Sequence, residues 1–364
     1  MRPARTRGAV LFSLLLATVP VCLAQENQIT LPLGFTIGTF ASGMSGPRFM
    51  AVSPGGDLFV SLSASGKVVA LPDRDGGGKA GQIVIVLDGL DRPHGLAFHQ
   101  GYLYVAENSR VLRFRHEGRH KVGTREMVVT NLPKGGGHWT RTIRFGPDGK
   151  LYVSIGSSCN VCDEEDPRRA AIVRYNADGT GEQIYSKGLR NSVGIAFHPE
   201  TGELWATDNG RDWLGDDLPP DELNRIKEGA HYGWPYCYGQ RVVDGQFRKT
   251  EFCRSTEPVA IEFPAHSAVL GLAFYTGSMF PPEYRGDLFV ASHGSWNRSV
   301  PTGHRLFRVR MKDGRPERWE EFATGWLGRS GAWGSPVDVI VGTDGALYVS
   351  DDHAGLIYRI AYRR

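Results

Sequence analysis

The sequence of 364 residues lacks any large charge excess, because Lys and Arg outnumber Asp and Glu by only 3. It has no long block of one charge sign, which argues against a nucleic-acid-binding tail or a polybasic membrane patch. Helical periodicity of apolar residues is also nearly absent. Apolar residues are nevertheless plentiful and well spread, so we expect a folded enzyme or binding protein without a nucleic-acid partner.

Long apolar runs are missing as well. The one candidate, AVLFSLLLATVPVCLA, follows three arginines, is too short to span a bilayer comfortably and ends at the small residue Ala24. We therefore expect residues 1–24 to be a cleaved secretory signal and residues 25–364 to form one periplasmic or secreted domain without a membrane span. Lipoprotein processing at Cys22 is disfavoured because no small residues directly precede it.

Cysteine is scarce, and four cysteines remain after removal of the signal segment. In an oxidising compartment an even number indicates disulfides, here Cys159–Cys162 and Cys237–Cys253. The Cys-x-x-Cys pair could also be a redox pair or half of a zinc site. A thioredoxin-like pair needs a strand-to-helix context, whereas this motif follows a predicted hairpin. A zinc site needs a second close pair, and the other two cysteines are 16 positions apart.

Glycine, by contrast, is abundant at 47 residues, which suits tight turns between short strands. One unit recurs six times: an apolar strand of small residues, a Gly/Asp/Pro turn, and a Leu-aromatic-Val strand. RTIRFGPDGKLYVSIG from position 141 is an example. The copies begin at positions 48, 94, 141, 193, 270 and 337. Most are followed by a third apolar strand, such as LIYRI near the end of the chain.

Each unit predicts a small antiparallel sheet that would leave both faces wet if it stood alone. Stacking the units around an axis buries those faces, so we expect an all-β, six-bladed β-propeller of four-stranded antiparallel sheets. A β-sandwich with coincidental turns is the alternative, and six copies in phase disfavour it. Residues 25–40 are expected to supply the outer strand that closes the ring. Insertions at about 208–222 and 228–265 predict long loops over one face.

Polar residues recur where the first strand of each unit begins and where the second strand ends. Because the two strands are antiparallel, these positions share one face, so we expect a site at that mouth of the channel. The residues predicted there are His138, Arg190, Asn191, Glu107, Asp208, Asn209, His293 and Asp351. Alternatively, any one of these residues could simply be a solvated residue at the end of a loop, without a role in a site.

Three stretches resemble the soluble dehydrogenases that depend on pyrroloquinoline quinone (PQQ), the glucose/sorbosone dehydrogenase family. The first two are HWTRTIRFGPDGKLYV and GLRNSVGIAFHP. The third is TDNGRD together with the segments DELNRI and GAHYGWP that follow it in the sequence. The likeness covers roughly residues 35–360, and SSCNVCDEEDPRRAAI and DNGRDWLGDD look most like the L-sorbosone dehydrogenase branch. The resemblance implies a six-bladed propeller and an exported oxidoreductase. Such an enzyme oxidises a sugar or aldehyde with PQQ and passes electrons to an external acceptor.

The resemblance also implies roles for the matching residues. His138 would be the general base that takes the substrate's hydroxyl proton, which suits an imidazole because its free pKa lies near working pH. Arg190 and Asn191 would hold quinone oxygens and a carboxylate of PQQ. Further candidate cofactor contacts are Asn209, His94, His266 and Arg298.

Calcium is the second cofactor that the resemblance implies. The ion would bridge PQQ and the backbone carbonyls of Gly210 and Arg211, and Asp208 would add negative charge. A second, structural calcium is possible near Asp221 and Glu222.

Two departures from the glucose-oxidising branch stand out. Ser157 replaces an Asp beside the histidine blade, and GSPVD replaces a stretch with two arginines that clamp cofactor carboxylates. Replacement cations could be Arg298, His293 or Arg329.

Two other functions remain open at the level of sequence. A calcium-centred propeller hydrolase of the lactonase type would use four residues as direct metal ligands. They are Glu107, Asn191, Asp208 and Asp351. A non-catalytic propeller would bind a partner through its loops.

Overall fold

The computed structural model describes residues 28–363, which form a nearly all-β fold. The expected signal segment, residues 1–24, lies outside the described residues. Within the described chain, no helix has the length and apolarity needed to cross a membrane.

Six four-stranded antiparallel sheets, numbered here as blades I to VI, make up the fold. The chain begins with β1 (Phe35–Ser42), which belongs to blade VI. Blade I contains β2 (Pro47–Val52), β3 (Leu58–Leu62), β4 (Lys67–Leu71) and β5 (Val84–Leu87). Blade II contains β6 (Leu96–His99), β7 (Tyr102–Ala106), β8 (Val111–His116) and β9 (Val122–Val129). Blade III contains β10 (Arg141–Phe145), β11 (Leu151–Ile155), β12 (Ala171–Tyr175) and β13 (Gln183–Lys187).

The second half of the ring carries the insertions. Blade IV contains β14 (Ile195–Phe197), β15 (Leu204–Asp208), β16 (Asp221–Ile226) and β19 (Ile261–Phe263). Between its third and fourth strands lie a hairpin of β17 (Cys237–Tyr238) and β18 (Val242–Val243) and the helix α1 (Thr250–Ser255). Blade V contains β20 (Val269–Phe274), β21 (Leu288–Ser292), β22 (Arg305–Lys312) and β23 (Arg315–Ala323). The hairpin β24 (Leu327–Gly328) and β25 (Gly331–Ala332) precedes blade VI, which contains β26 (Pro336–Val341), β27 (Leu347–Asp351) and β28 (Leu356–Tyr362). Short 3₁₀ helices lie at Ser63–Ser65 and Pro282–Tyr284.

The first strands of the blades form the inner ring. Each contacts the first strand of the next blade, in the order β2, β6, β10, β14, β20, β26 and back to β2. Small residues permit this close approach: a Cβ on Gly95 would lie 2.6 Å from the Arg141 carbonyl oxygen, and one on Gly194 would overlap the Leu270 carbonyl. Apolar residues of neighbouring blades fill the space between sheets, as Phe59 and Leu103 do between blades I and II. The predicted six-bladed propeller is confirmed.

The ring closes through β1, which pairs with β28 from Phe35↔Tyr362 to Ser42↔Leu356. The sequence predicted this outer strand a few residues too early, at 25–40.

The two predicted loops differ from the structure in their bounds. The first connection runs from 209 to 220, because β15 ends at Asp208 and β16 begins at Asp221. The second prediction, 228–265, was wrong as a pure loop, since it contains the β17–β18 hairpin, α1 and β19. β19 pairs with β16 over only three residues, which is too short to show an alternating pattern.

Both predicted disulfides are confirmed. Cys159–Cys162 lies in the connection between β11 and β12, and Cys237–Cys253 joins β17 to α1. These thiols are therefore bonded to each other rather than shared with a zinc site.

Candidate active site

A polar cavity of about 390 Å³ lies where several first strands begin. Five of the eight residues predicted for this mouth line it: His138, Arg190, Asn191, Asn209 and His293. The blades bring them together because each stands just before a first strand or just after a second strand. His266 and Gly210 also line the cavity.

His138 is half-buried just before β10, and its Nδ1 atom faces blade III. Nδ1 lies 2.8 Å from Ser157 Oγ and 3.0 Å from the Ser157 carbonyl oxygen. Burial, and after it the charge of the nearby Arg190 guanidinium, lower the pKa of His138 to about 3, although the backbone hydrogen bond opposes both effects. The imidazole is therefore neutral at physiological pH.

The buried side chain of Arg190 is held by the loops around it. Its Nη2 donates to Asp212 Oδ2 and to Asn160 Oδ1, both at 2.9 Å. Its Nε donates to the Asn160 carbonyl at 3.0 Å and its Nη1 to the Asn209 carbonyl at 3.2 Å. Burial lowers the pKa of Arg190, and the negative charge of Asp212 opposes this effect. An anionic ligand at Arg190 would share the guanidinium with Asp212.

Three acids predicted for the mouth, Glu107, Asp208 and Asp351, do not line the cavity. Each is buried at the end of a second strand and accepts a hydrogen bond from the backbone where the first strand of its own blade is entered. The bonds run from Asp91 N to Glu107 Oε1 (2.7 Å), from Arg190 N to Asp208 Oδ2 (2.9 Å) and from Ser335 N to Asp351 Oδ1 (2.9 Å). Their carboxylates are engaged by these backbone amides, and those of Asp208 and Asp351 thereby position the cavity residues Arg190 and Ser335.

Of the four further candidate cofactor contacts, Asn209 and His266 line the cavity, and His266 Nε2 donates to the Gly215 carbonyl at 2.8 Å. His94 is fully buried beneath the wall, with its ring 5.5 Å from that of Trp139. Burial is the main cause of its lowered pKa. Arg298 lies outside the lining and donates to the Asp216 carbonyl at 2.5 Å. Arg329 is exposed in the β24–β25 connection.

His293 is the candidate replacement cation that does line the cavity. Its Nε2 lies 2.8 Å from Asp352 Oδ1, and Arg48 Nη1 donates to the other oxygen of the same carboxylate at 2.6 Å. These two partners contribute to the lowering of the pKa of Asp352 to about 2, against the opposing effect of burial.

Several lining residues escaped the sequence analysis. They are Asp212, Trp296, Asn297, His304 and Ser335. Asp212 stands in the TDNGRD motif, so the motif carried a signal for it. Ser335 stands directly before β26, at the repeated entrance of a first strand. Trp296, Asn297 and His304 lie in the β21–β22 connection, which does not repeat from blade to blade.

A smaller cavity of about 20 Å³ lies beside the first, and its lining includes Asp208, Glu222, Asp244 and Arg211. Burial raises the pKa of Glu222 from its ordinary 4.5 to about 7. Burial also raises the pKa of Asp208, and the nearby charge of Glu222 raises it further. Arg211 Nη1 contacts Asp244 Oδ2 at 2.6 Å. This space can hold a single water or cation.

The fold and the site together define a six-bladed β-propeller protein with a polar, histidine-lined cavity at one mouth of its channel. The model of the TrAA12-like family matches residues 29–363, so the chain belongs to that family.

Relatives support this assignment. An uncharacterized protein of Borreliella burgdorferi is 32% identical over 362 residues, covering 94% of this chain and 93% of its own length. A PQQ-dependent sugar dehydrogenase of Hypocrea jecorina is 27% identical over 269 residues, 61% of each chain. The aldose sugar dehydrogenase YliI of Escherichia coli is 25% identical over 195 residues, 47% of this chain and 50% of its own. The chain thus spans about half to three-fifths of the length of these named dehydrogenases.

Solved structures share the fold. A calcium structure of the family AA12 enzyme of Trichoderma reesei has a TM-score of 0.81 at 22% identity, covering 92% of this chain and 97% of that one. The holo PQQ domain of pyranose dehydrogenase from Coprinopsis cinerea has a TM-score of 0.78 at 20% identity with the same coverage. The named relatives are sugar dehydrogenases, which are oxidoreductases, and the Hypocrea jecorina enzyme and the Coprinopsis cinerea domain are named for PQQ. The resemblance seen in the sequence is therefore confirmed at the level of the family.

Proposed function

We propose that the protein is an exported quinoprotein dehydrogenase that oxidises a sugar or aldehyde with PQQ and passes the electrons to an external acceptor. The observation that carries this proposal is the convergence of neutral His138 with Arg190 and Asn191 in one cavity. These residues come from two of the three stretches that resemble the family. Aldoses and sorbosone are the substrates that the resemblance favours.

The cavity suits PQQ in size and chemistry. Its volume lies within the range typical of small-molecule sites. PQQ is a planar quinone that carries carboxylates, and the lining offers Arg190 and four imidazoles as hydrogen-bonding groups. The imidazoles belong to His138, His266, His293 and His304. Two buried amide oxygens at the cavity, Asn191 Oδ1 and Asn297 Oδ1, have no hydrogen-bond partner among residues 28–363, which suits a site built around a further polar group.

His138 takes the hydroxyl proton of the substrate in this proposal. The bound quinone supplies the acceptor for the hydride that leaves the same carbon. A carboxylate held at Arg190 offsets the guanidinium charge, so ligand binding raises the pKa of His138 and makes it a stronger base.

Calcium would be held by the carbonyl oxygens of Gly210 and Arg211. No hydrogen bond to either oxygen is found within residues 28–363, so both are free to coordinate a hard cation. Asp208 lies buried next to this turn and adds negative charge. A second cation, predicted near Asp221 and Glu222, would suit the buried carboxylate of Glu222 in the smaller cavity, because it would offset that charge. Asp221 lines the larger cavity instead, and its carboxylate accepts hydrogen bonds from Gly210 N and Ala268 N.

The hydrolase alternative is weaker in this geometry. It requires Glu107 and Asp351 as metal ligands in the channel mouth, yet both are buried and engaged with backbone amides. The site therefore favours the dehydrogenase.

Reconstitution tests the proposal. Purified protein with PQQ and calcium should reduce an artificial electron acceptor when given aldoses, sorbosone or other aldehydes. Mixtures without protein, and protein without PQQ, serve as blanks. Lactone hydrolysis with calcium alone, together with no PQQ-dependent dye reduction on any sugar or aldehyde, would overturn it.

A further inference from the structure

Two exposed tryptophans meet at the rim of the cavity. Trp213 and Trp296 are 69% and 70% exposed, although side chains of this size are usually largely buried. Their ring centroids are 5.2 Å apart and their planes stand at 87°. The two indoles thus form an open, right-angled corner.

The loops beneath this corner are cross-linked. Asp212, next to Trp213, accepts a hydrogen bond from Asn297 Nδ2 at 3.1 Å. Ser299 N donates to Asp216 Oδ1 at 3.1 Å. The corner is therefore held in place before any ligand arrives, which lowers the entropy cost of binding.

The corner extends the site outwards. Trp296 lines the cavity that contains His138, whereas Trp213 contacts Trp296 but lies outside the lining. The C–H groups on one face of a pyranose are weakly positive and stack on the negative face of an aromatic ring. We propose that Trp213 and Trp296 bind a second sugar ring, so that the preferred substrate is a disaccharide or longer saccharide. This inference rests on the proposed function.

Trp213→Ala tests this subsite, with Val300→Ala as a control because Val300 is a 67% exposed apolar residue nearby. Disaccharide and monosaccharide kcat/KM are compared on the PQQ-loaded enzyme, and disaccharide binding is measured by calorimetry on PQQ-free protein. We expect Trp213→Ala to lower the disaccharide-to-monosaccharide ratio of kcat/KM about three- to tenfold and to weaken disaccharide binding similarly.

An unchanged ratio with unchanged binding would overturn the subsite. So would a defect confined to electron transfer to a protein acceptor, which would assign the corner to a redox partner. Disaccharide binding that depends on Trp213 in a protein inactive with PQQ would retain the subsite and reject the proposed function.

A second feature joins the Cys159–Cys162 disulfide to the histidine. Ser157, which is fully buried, donates its single hydroxyl proton to the Cys159 carbonyl at 2.6 Å. Towards His138 Nδ1, the Ser157 Oγ atom can therefore act only as an acceptor. The Ser157 carbonyl oxygen, which also contacts Nδ1, is an acceptor as well. Both partners of Nδ1 are acceptors, so Nδ1 carries the proton and Nε2 is left with a free lone pair.

We infer that Ser157 is a positioning residue that fixes the basic tautomer of His138, and that the disulfide anchors it. The disulfide closes the turn that presents the Cys159 carbonyl. It thereby keeps the Ser157 proton away from His138. The Cys-x-x-Cys motif then has a structural role, the orientation of His138, and takes no part in redox chemistry.

The test is the tautomer of His138, read from ring ¹⁵N shifts in PQQ-free protein. The wild type should show Nδ1 protonated. In the double variant C159S/C162S the Ser157 hydroxyl becomes free to donate to Nδ1, so the share of this tautomer should fall and kcat should drop about tenfold in the loaded enzyme. Ser157→Ala keeps the Ser157 carbonyl as an acceptor for Nδ1, so it should lower that share less, and Ser157→Thr should keep the wild-type share. The double variant C237S/C253S removes the other disulfide and should leave the tautomer unchanged. Unaltered ¹⁵N shifts in Ser157→Ala and C159S/C162S would overturn the inference.

Discussion

At the scale of single residues, Arg190 and His138 depend on each other. Burial and, after it, the guanidinium lower the pKa of the imidazole and keep it neutral, while Asp212 and Asn160 hold the guanidinium in place. A ligand that neutralises Arg190 strengthens the base beside it. Cofactor binding and proton transfer are thus coupled through the charge of Arg190.

His138→Ala should lower kcat by about 10²- to 10⁴-fold, the usual cost of a lost general base. PQQ binding should persist because Arg190 and Asn191 remain. Dye-reduction kinetics and a PQQ titration on the same sample separate the two effects. His120→Ala is a matched control, since His120 lies outside the cavity and pairs with Asp57. A kcat within twofold of the wild type would remove His138 from the mechanism.

At the scale of strands, an acid at the end of the second strand fixes the entrance of the first strand in blades II, IV and VI. Asp351 is the fullest case, because one carboxylate oxygen accepts hydrogen bonds from Ser335 N at 2.9 Å, His353 N at 3.1 Å and Ala354 N at 2.8 Å. These bonds place the cavity residue Ser335. The repeated acid is therefore structural, although its position in the sequence suggested a ligand.

Asp351→Ala leaves three backbone donors without this acceptor. We expect the free energy of unfolding to fall by about 3 kcal/mol, because buried unpaired donors are costly. Urea denaturation followed by tryptophan fluorescence measures the change. Asp75→Ala, at an exposed loop position, should stay within about 0.5 kcal/mol of the wild type. Equal stability of the two variants would contradict the structural role of Asp351.

The sequence predicted the inner three strands of each blade well and the fourth poorly. Inner strands such as β11 are buried on both faces, so they read as apolar runs. Outer strands such as β13, QIYSK, face solvent and lack that pattern. The same logic applies to the site. The equivalent positions of the six repeats located His138 and Arg190, whereas Trp296 lies in a connection that has no counterpart in the other blades.

At the scale of the whole molecule, the ring closes through a strand from the other end of the chain. Phe35 of β1 packs its ring against Phe280, Phe322 and Tyr362, with centroids 4.7 to 5.0 Å apart. The first described strand thereby joins blades V and VI. β1 covers the edge of β28 and becomes the outer strand of blade VI.

Phe35→Ala should lower the free energy of unfolding by about 3–5 kcal/mol, since it opens a cavity at the closure. Leu33→Ala is the control, because Leu33 is 99% exposed. Thermal unfolding of both variants provides the comparison. A Phe35→Ala protein as stable as Leu33→Ala would contradict the role of this contact in closure.

The smaller cavity predicts how stability depends on pH and calcium. The pKa of Glu222 is raised from 4.5 to about 7 in the folded chain, so the folded state binds more protons than the unfolded state between these values. Stability of the metal-free protein therefore falls as pH rises through this range. Calcium should reverse the fall above about pH 7 by binding only the folded state, and Glu222→Gln should flatten the metal-free profile. Melting temperatures that respond to neither pH nor chelation would contradict a cation site here.

The central claim is that the cavity around His138 and Arg190 is a PQQ site, and a titration of the calcium-loaded protein with PQQ tests it most directly. We predict saturable uptake of one PQQ per chain, followed by reduction of the bound quinone when sugar or aldehyde is added. Arg190→Ala should weaken this uptake at least tenfold. Absence of saturable uptake, or equal uptake by the wild type and Arg190→Ala, would contradict the account.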